Sequence, residues 1–322
     1  MIALVAEGWS LEVDAAEYSA VGAGSYHWVV TERDGGRRFV TVDDLDSKPW
    51  LKDKPESLFE GLRRAYQTAI ALRDSGLGFV VGPITTASGE ALRRVGQRFT
   101  IALFPFVDGQ TGRFGEYDKA GRVAVVKMLA QLHQASPAVA SAAGSAGLGL
   151  PGRRQIEAGL QELDQQWLGG PFSEPARQVL AGRSSYVAEL LALADRLAAE
   201  VRGRGSSWVI THGEPHAANV MRTGESRLLV VWDTVALAPP ERDLWLVLGD
   251  DHDEATIYAD ATGHEVDKAA LDFFRLTWDL KDLATYLDVL RAPHRDNEDT
   301  ARALQGVKNC VASRDRWGAL LD

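Results

Sequence analysis

The chain has 322 residues, 45% hydrophobic and 25% charged, the composition of an ordinary globular protein long enough for two domains or one large one. Its formal net charge of −10 argues against nucleic acid as a partner, because phosphate backbones call for clustered Lys and Arg; a solvated acidic surface and an acidic groove for a cationic substrate both fit. One cysteine, Cys310, excludes an intrachain disulfide, and no apolar run is long enough for a signal peptide or a membrane span, so the expectation is a cytoplasmic protein with no membrane partner.

Residues up to 103 read as strands with one helix. A short apolar run, Tyr18 to Val21, ends at Gly22-Ala23-Gly24-Ser25. Tyr26 to Thr31 is aromatic and β-branched, Asp34-Gly35-Gly36 offers a hairpin turn, and Arg38 to Val42 returns as the partner strand. Backbone amides in the Gly22–Ser25 turn can cradle phosphate; a tight turn without a ligand is the competing reading. Leu58, Leu62, Ala65, Ala69 and Leu72 recur at helical spacing and predict a helix over Ser57–Leu72. Further strands are expected at Phe79–Val81 and Phe99–Phe104, and Pro105 to Gly109 is the best domain boundary.

Beyond it the pattern turns helical. Tyr117–His133 reads as a helix with Val125, Leu129 and Leu132 inward, closed by His133 in a packing or capping role. Residues 136–152 read as a loop rich in Ala, Ser, Gly and Pro. Helices follow at Arg153–Trp167 and Glu174–Arg202, then a strand over Trp208–Thr211. The C-terminal part is helical again, with Leu276, Leu280, Leu283, Leu287 and Leu290 on one stripe and Asp279, Asp282 and Tyr286 on a neighbouring face.

The chemistry is concentrated in Thr211-His212-Gly213-Glu214-Pro215-His216-Ala217-Ala218-Asn219-Val220, with Asp233 fourteen residues after Asn219 at the end of the next expected strand. A carboxylate, an amide and a second carboxylate are the groups phosphoryl transfer from a nucleotide needs: one orients an acceptor hydroxyl, and two hold a divalent ion against the phosphates. Asn219 could instead cap a loop, and Asp233 a helix. His212 and His216, four apart, could form a zinc pair, but Gly213 and Pro215 disfavour a helix between them and no further Cys or His lies nearby at ligand spacing.

The segment resembles the catalytic loop of the aminoglycoside phosphotransferase family, His-Gly-Asp-x-His-x-x-Asn, and Pro239-Pro240-Glu241-Arg242-Asp243-Leu244-Trp245 resembles that family's trailing Pro-x-x-Asp-Leu segment. Within the family, residues 232–245 look most like the spectinomycin-phosphotransferase branch. The resemblance implies an α+β, bilobal protein-kinase-like fold: a small antiparallel β-sheet lobe with one main helix, and a larger, mostly helical lobe. It implies a nucleotide-binding lobe over residues 1–104, a hinge at 105–109, and a catalytic and acceptor-binding lobe over 110–322. Glu214 stands at the catalytic aspartate, Asn219 and Asp233 at the Mg²⁺ ligands, and His212, His216 and Asp243 at positions that support the loop. Gly22, Gly24 and Ser25 would meet the nucleotide, ATP or GTP, together with Phe104 and Phe106 at the hinge. The acceptor would be a hydroxyl of a small-molecule antibiotic, met by Asp250, Asp251, Asp279, Asp282 and Tyr286. Two departures stand out: Glu214 replaces an aspartate, and Thr41 falls where the family carries a strand lysine, leaving Arg37, Arg38, Lys48, Lys52 or Lys54 to substitute and Glu60 or Glu56 as a nominal partner. They motivate an alternative, a kinase-like binding protein with little transfer activity; a kinase of a sugar- or choline-type metabolite is another. Oligomeric state is left open.

Overall fold

The computed structural model describes residues 1–22, 24–46, 55–205, 207–249, 253–312 and 314–321. Contacts group the chain into two compact units, Met1–Gly147 with Ser207–Val266, and Leu148–Ser206 with Asp267–Asp322. In chain order, the first unit opens with α1 (Ile2–Trp9), β1 (Val13–Ser19), β2 (Tyr26–Glu32), β3 (Arg37–Asp44), α2 (Pro55–Asp74), β4 (Arg93–Val95), β5 (Phe99–Pro105), β6 (Gln110–Thr111), α3 (Lys119–Gln134) and α4 (Ser136–Val139). The second unit supplies α5 (Arg153–Gln161), α6 (Ser173–Ala181) and α7 (Ser184–Arg204). The chain then returns to the first unit with β7 (Val209–Thr211), β8 (Val220–Thr223), β9 (Ser226–Leu229), β10 (Ala236–Ala238), α8 (Glu241–Leu244) and α9 (Asp253–Thr262), and ends in the second with α10 (Lys268–Arg291), α11 (Glu298–Ala312) and α12 (Arg314–Leu321). This is the expected α+β class, and no described helix is long and apolar enough to cross a membrane.

The principal sheet has the order β1-β2-β3-β5-β4, and every neighbouring pair is antiparallel. Alternation gives it two chemically distinct faces. On one, Val30, Val40, Ile101 and Leu103 are fully buried and pack with Val5 and Trp9 of α1 into a single apolar cluster. On the other, His27 stands opposite Thr41, Thr41 opposite Ala102, and Phe39 opposite Phe104. Tyr66 of α2 meets Phe104 edge-on, with ring centroids 5.5 Å apart. The predicted helical stripe, Leu58 to Leu72, is buried throughout. The β2–β3 hairpin turns at Gly35, whose φ of +89° explains why glycine stands there.

Several expectations need correction. Helix α1 is not among the predicted elements; it has no side-chain N-cap, and its place is set by burial of Val5 and Trp9. Phe79–Val81 is no strand: Val80 forms one isolated bridge to Leu229, between Gly78 and the Gly82-Pro83 pair. The single helix expected over Glu174–Arg202 is two, broken at Gly182-Arg183, and the helix expected to reach Trp167 stops at Gln161. The described part of residues 136–152 includes a single short turn of helix, α4.

The second unit is built from helices. The α10 stripe Leu276, Leu280, Leu283, Leu287 and Leu290 is buried, as are Val187, Leu190, Ala194, Leu197 and Val201 of α7.

Because Trp9 fills the cluster above the sheet and its indole Nε1 donates to the Ile84 carbonyl at 2.8 Å, Trp9→Ala should cost about 3–5 kcal/mol in urea denaturation.

Candidate active site

Strand β7 ends at Thr211 and pairs with β10, so the loop 212–219 leaves the sheet from a fixed point; Thr211 Oγ1 donates to the Ala236 carbonyl at 2.8 Å. The loop closes in a short 3₁₀ turn, Ala217–Asn219, and enters the β8–β9 hairpin. Where β9 ends, Val230 donates its N–H to the Asn219 carbonyl at 3.0 Å. The His212 ring Nε2 meets the Val230 carbonyl at 2.9 Å, and Thr234 Oγ1 donates to the His212 carbonyl at 2.9 Å. The fully buried Trp232 stands edge-on to His212, 4.6 Å between ring centroids. Two segments are thus laced together, one carrying Glu214 and Asn219, the other Asp233. Asp233 lies in a turn, four residues past the end of β9 at Leu229 and not at a strand end as expected.

Asp243 of α8 braces the loop. Its fully buried carboxylate accepts the His212 N–H at 2.8 Å, the Gly213 N–H at 2.6 Å and the His133 ring Nε2 at 3.2 Å. Burial alone would raise its pKa, but the His133 hydrogen bond and the electrostatic influence of His133, His212 and Arg242 hold it below the usual carboxylate value. His133 is held in turn by the Tyr258 hydroxyl at 2.7 Å from Nδ1. The His212 ring is used on both sides, since Nδ1 accepts the Glu214 N–H at 3.3 Å. Burial lowers its pKa, consistent with a neutral ring protonated at Nε2. The Asn219 amide Nδ2 donates to the Glu214 carbonyl at 2.9 Å, which leaves Oδ1 as the atom to face a ligand. An amide oxygen and a carboxylate are donor types that a small hard divalent cation takes, so the chemistry of Asn219 and Asp233 suits the magnesium expected there.

On the sheet side, Gly22 and Gly24 adopt φ of +70° and +86°, which turns their backbone as only glycine does without strain. The Ser25 hydroxyl donates to Asp43 Oδ1 at 2.6 Å, and Thr41 Oγ1 lies 3.2 Å from His27 Nδ1. Among the described residues, no Lys or Arg is a hydrogen-bond partner of Thr41. Arg37 stacks over Phe106 at 3.9 Å and Arg38 pairs with Glu32 at 2.8 Å; Lys48, Lys52 and Lys54 lie outside the described residues. Glu60 is held by Arg63 and Glu56 by Arg94.

The sequence matches the phosphotransferase enzyme family over residues 19–276. The chain belongs to this family. It is 25% identical over 241 residues to protein StrN of Streptomyces griseus, covering 73% of this chain and 72% of that one. The fold is shared with a spectinomycin phosphotransferase solved with ADP and spectinomycin (TM-score 0.73, 18% identity, 98% of this chain and 97% of that one). It is also shared with an amicoumacin kinase solved with AMP-PNP and Ca²⁺ (TM-score 0.59, 12% identity, 95% and 92% covered). The reaction of this phosphotransferase is transfer of a nucleotide phosphate to a hydroxyl acceptor.

Two of the phosphotransferase's residues escaped sequence reasoning. Arg242 of α8 donates to Thr211 Oγ1 at 2.7 Å and to the Thr234 carbonyl at 2.9 Å. A basic residue between the buried Glu241 and Asp243 was the available signal. Asp43 shares a strand face with Thr41 at period two and is 1% exposed. Burial, then the charges of Asp43 and Asp233, push the Tyr66 hydroxyl well above its ordinary pKa.

Of the expected acceptor residues, Asp250 and Asp251 lie outside the described residues. Asp279 accepts from Arg316 at 2.9 Å and Trp317 at 3.2 Å within the helical unit, and Tyr286 packs so closely on Gly306 that a Cβ there would stand 2.3 Å from the ring. The Asp282 charge acts on both Tyr286 and Cys310. The acids that follow them in sequence pair with cations of α3: Asp253 with Lys119, and Glu254 with Arg122 at 2.7 Å. A cavity of about 430 Å³ opens there, lined by Tyr117, Arg122 and residues 246–249, and the Tyr117 hydroxyl donates to the Pro215 carbonyl at 2.8 Å.

Burial holds the His212 and His216 rings below their usual 6.5. The unfolded chain therefore takes up protons first, so their contribution to stability is complete above 6.5 and declines as pH falls. The melting temperature should drop between pH 7 and about 5.5, and His212→Gln should flatten that dependence in calorimetry.

Proposed function

We propose that the chain moves the γ-phosphate of ATP or GTP to a hydroxyl of a small-molecule antibiotic, an aminoglycoside, a spectinomycin-like aminocyclitol or a nucleoside antibiotic, and so confers resistance in the cytoplasm. The observation that carries the reading is the lacing of the Glu214–Asn219 loop to the Asp233 turn through His212, Val230 and Thr234. Glu214 would hydrogen-bond the acceptor hydroxyl and aim its oxygen in line with the γ-phosphorus. As the new P–O bond forms, the bond from the γ-phosphorus to the β,γ-bridging oxygen breaks, and the acceptor proton passes to the carboxylate or on to solvent. Asn219 Oδ1 and the Asp233 carboxylate would hold Mg²⁺, which when bound neutralises charge on the phosphate oxygens. The amides of the Gly22–Ser25 turn would meet the phosphates. Residues 105–109 would be the hinge between lobes 1–104 and 110–322, with Phe104 and Phe106 against the base. The 430 Å³ cavity beside Pro215 is the favoured place for the acceptor, with Asp279, Asp282 and Tyr286 as secondary candidates.

A second reading, a nucleotide-binding protein with little turnover, is motivated by Thr41 paired with His27 and by Glu214 in place of a shorter acid. Incubation with ATP or GTP, magnesium and an antibiotic panel decides between them: mass spectrometry should find one added phosphoryl group on an acceptor. Asp233→Asn should cut turnover by about 10²–10³-fold, the scale of losing one charge-stabilising group. Nucleotide binding without any phosphorylated product would favour the second reading, and unaffected turnover in Asp233→Asn would remove the metal assignment.

A further inference from the structure

Arg242 occupies a position that the phosphoryl-transfer chemistry does not itself demand. Its guanidinium joins the two halves of the site: Nη1 reaches Thr211, three residues before Glu214, and Nη2 reaches the carbonyl of Thr234, the residue after Asp233. Its plane lies so close over Gly213 that a Cβ there would stand 2.4 Å from Nη2, and Gly213, with φ of +97°, is the residue immediately before Glu214. The carboxylates of Asp243, Glu214 and Asp233 all act electrostatically on this one cation, against the burial that disfavours its charge. Carboxylates gathered in a partly dry site repel one another strongly unless a positive charge stands among them.

We propose that Arg242 is a positioning residue and the resident counter-ion of the site: it staples the Glu214 loop to the Asp233 turn, and supplies the positive charge that keeps the carboxylates together while no divalent ion is bound. The inference rests on the assignment of Asp233 to a divalent ion made above. A guanidinium suits the task because its rigid fork reaches two acceptors at once while keeping its charge; an ammonium could supply the charge but not both bonds in the same geometry. A divalent ion arriving with the nucleotide adds to a countercharge already in place, so the loop is held before substrate binds.

Two variants separate the charge from the fork. Arg242→Gln removes the charge and keeps hydrogen-bonding capacity, and Arg242→Lys keeps the charge and loses the fork. Melting temperatures are measured for wild type and both variants in EDTA and then with saturating Mg²⁺ and a non-hydrolysable ATP analogue; kcat and nucleotide KM are measured alongside. In EDTA, Arg242→Gln should melt well below wild type, and at least about half of that deficit should disappear with Mg²⁺ and analogue, because the ion then supplies the missing charge. Arg242→Lys should show a smaller deficit. In turnover, kcat should fall about a hundredfold in Arg242→Gln and about tenfold in Arg242→Lys, while nucleotide KM stays within about threefold, as expected of misplaced catalytic groups. A deficit that Mg²⁺ and analogue leave unchanged, with wild type itself stabilised by them, would overturn the counter-ion role while leaving the proposed function standing. A wild type that Mg²⁺ and analogue do not stabilise would remove the metal assignment and this inference with it. A kcat within about twofold of wild type in both variants would overturn the positioning role.

Discussion

A buried carboxylate must be matched by hydrogen bonds, and in this protein that requirement organises the site. Asp243 is fully buried and is met by the backbone N–H groups of His212 and Gly213 and by the His133 ring. Leaving such donors unmatched would cost about 1–3 kcal/mol each, so neither side of the arrangement can move alone. The loop is therefore held from beneath at the two residues immediately before Glu214. From above, the His212 ring and carbonyl tie it to Val230 and Thr234, so one histidine joins the brace to the segment carrying Asp233. Catalysis by positioning needs this kind of rigidity, since displacement of about 1 Å can cost roughly a hundredfold in rate.

Charge is the second theme. The chain is acidic overall, and its acids gather where chemistry is expected: Glu214, Asp233, Glu241 and Asp243 stand on three neighbouring stretches of sequence, and Asp43 and Asp233 both act on Tyr66. At Thr41, where the resembling family has a lysine, the hydroxyl instead meets His27. Ser25 of the glycine turn is bonded to Asp43, which ties that turn to the third strand through its side chain. Arg242 of α8 is a cation on which Asp243, Glu214 and Asp233 act, and it is bonded to Thr211 and the Thr234 carbonyl.

The parts of the fold that sequence made legible are those where periodicity and burial coincide. The stripe Leu58 to Leu72 and the β2–β3 hairpin with its Asp34-Gly35-Gly36 turn follow from side-chain spacing and from glycine's freedom at positive φ. The failures have physical causes. Helix α1 is too short and uncapped to announce itself, and it forms because the sheet needs Val5 and Trp9 as a cover. The break at Gly182-Arg183 lies inside an unbroken helical pattern, so periodicity alone ran through it. At the site, the stretch from His212 to Asn219 could be read by motif because its spacing is local. The Arg242 bridge and the Asp43–Ser25 bond could not, because they join residues brought together only by folding.

The most direct measurement is a crystal structure grown with Mn²⁺ and a non-hydrolysable ATP analogue, with data collected at the manganese absorption edge. An anomalous peak roughly 2.0–2.3 Å from both Asn219 Oδ1 and an Asp233 carboxylate oxygen, with the γ-phosphate on its other side and Glu214 facing the open end of that phosphate, is the predicted result. A manganese site elsewhere, or Asn219 and Asp233 turned toward different ligands, would contradict it.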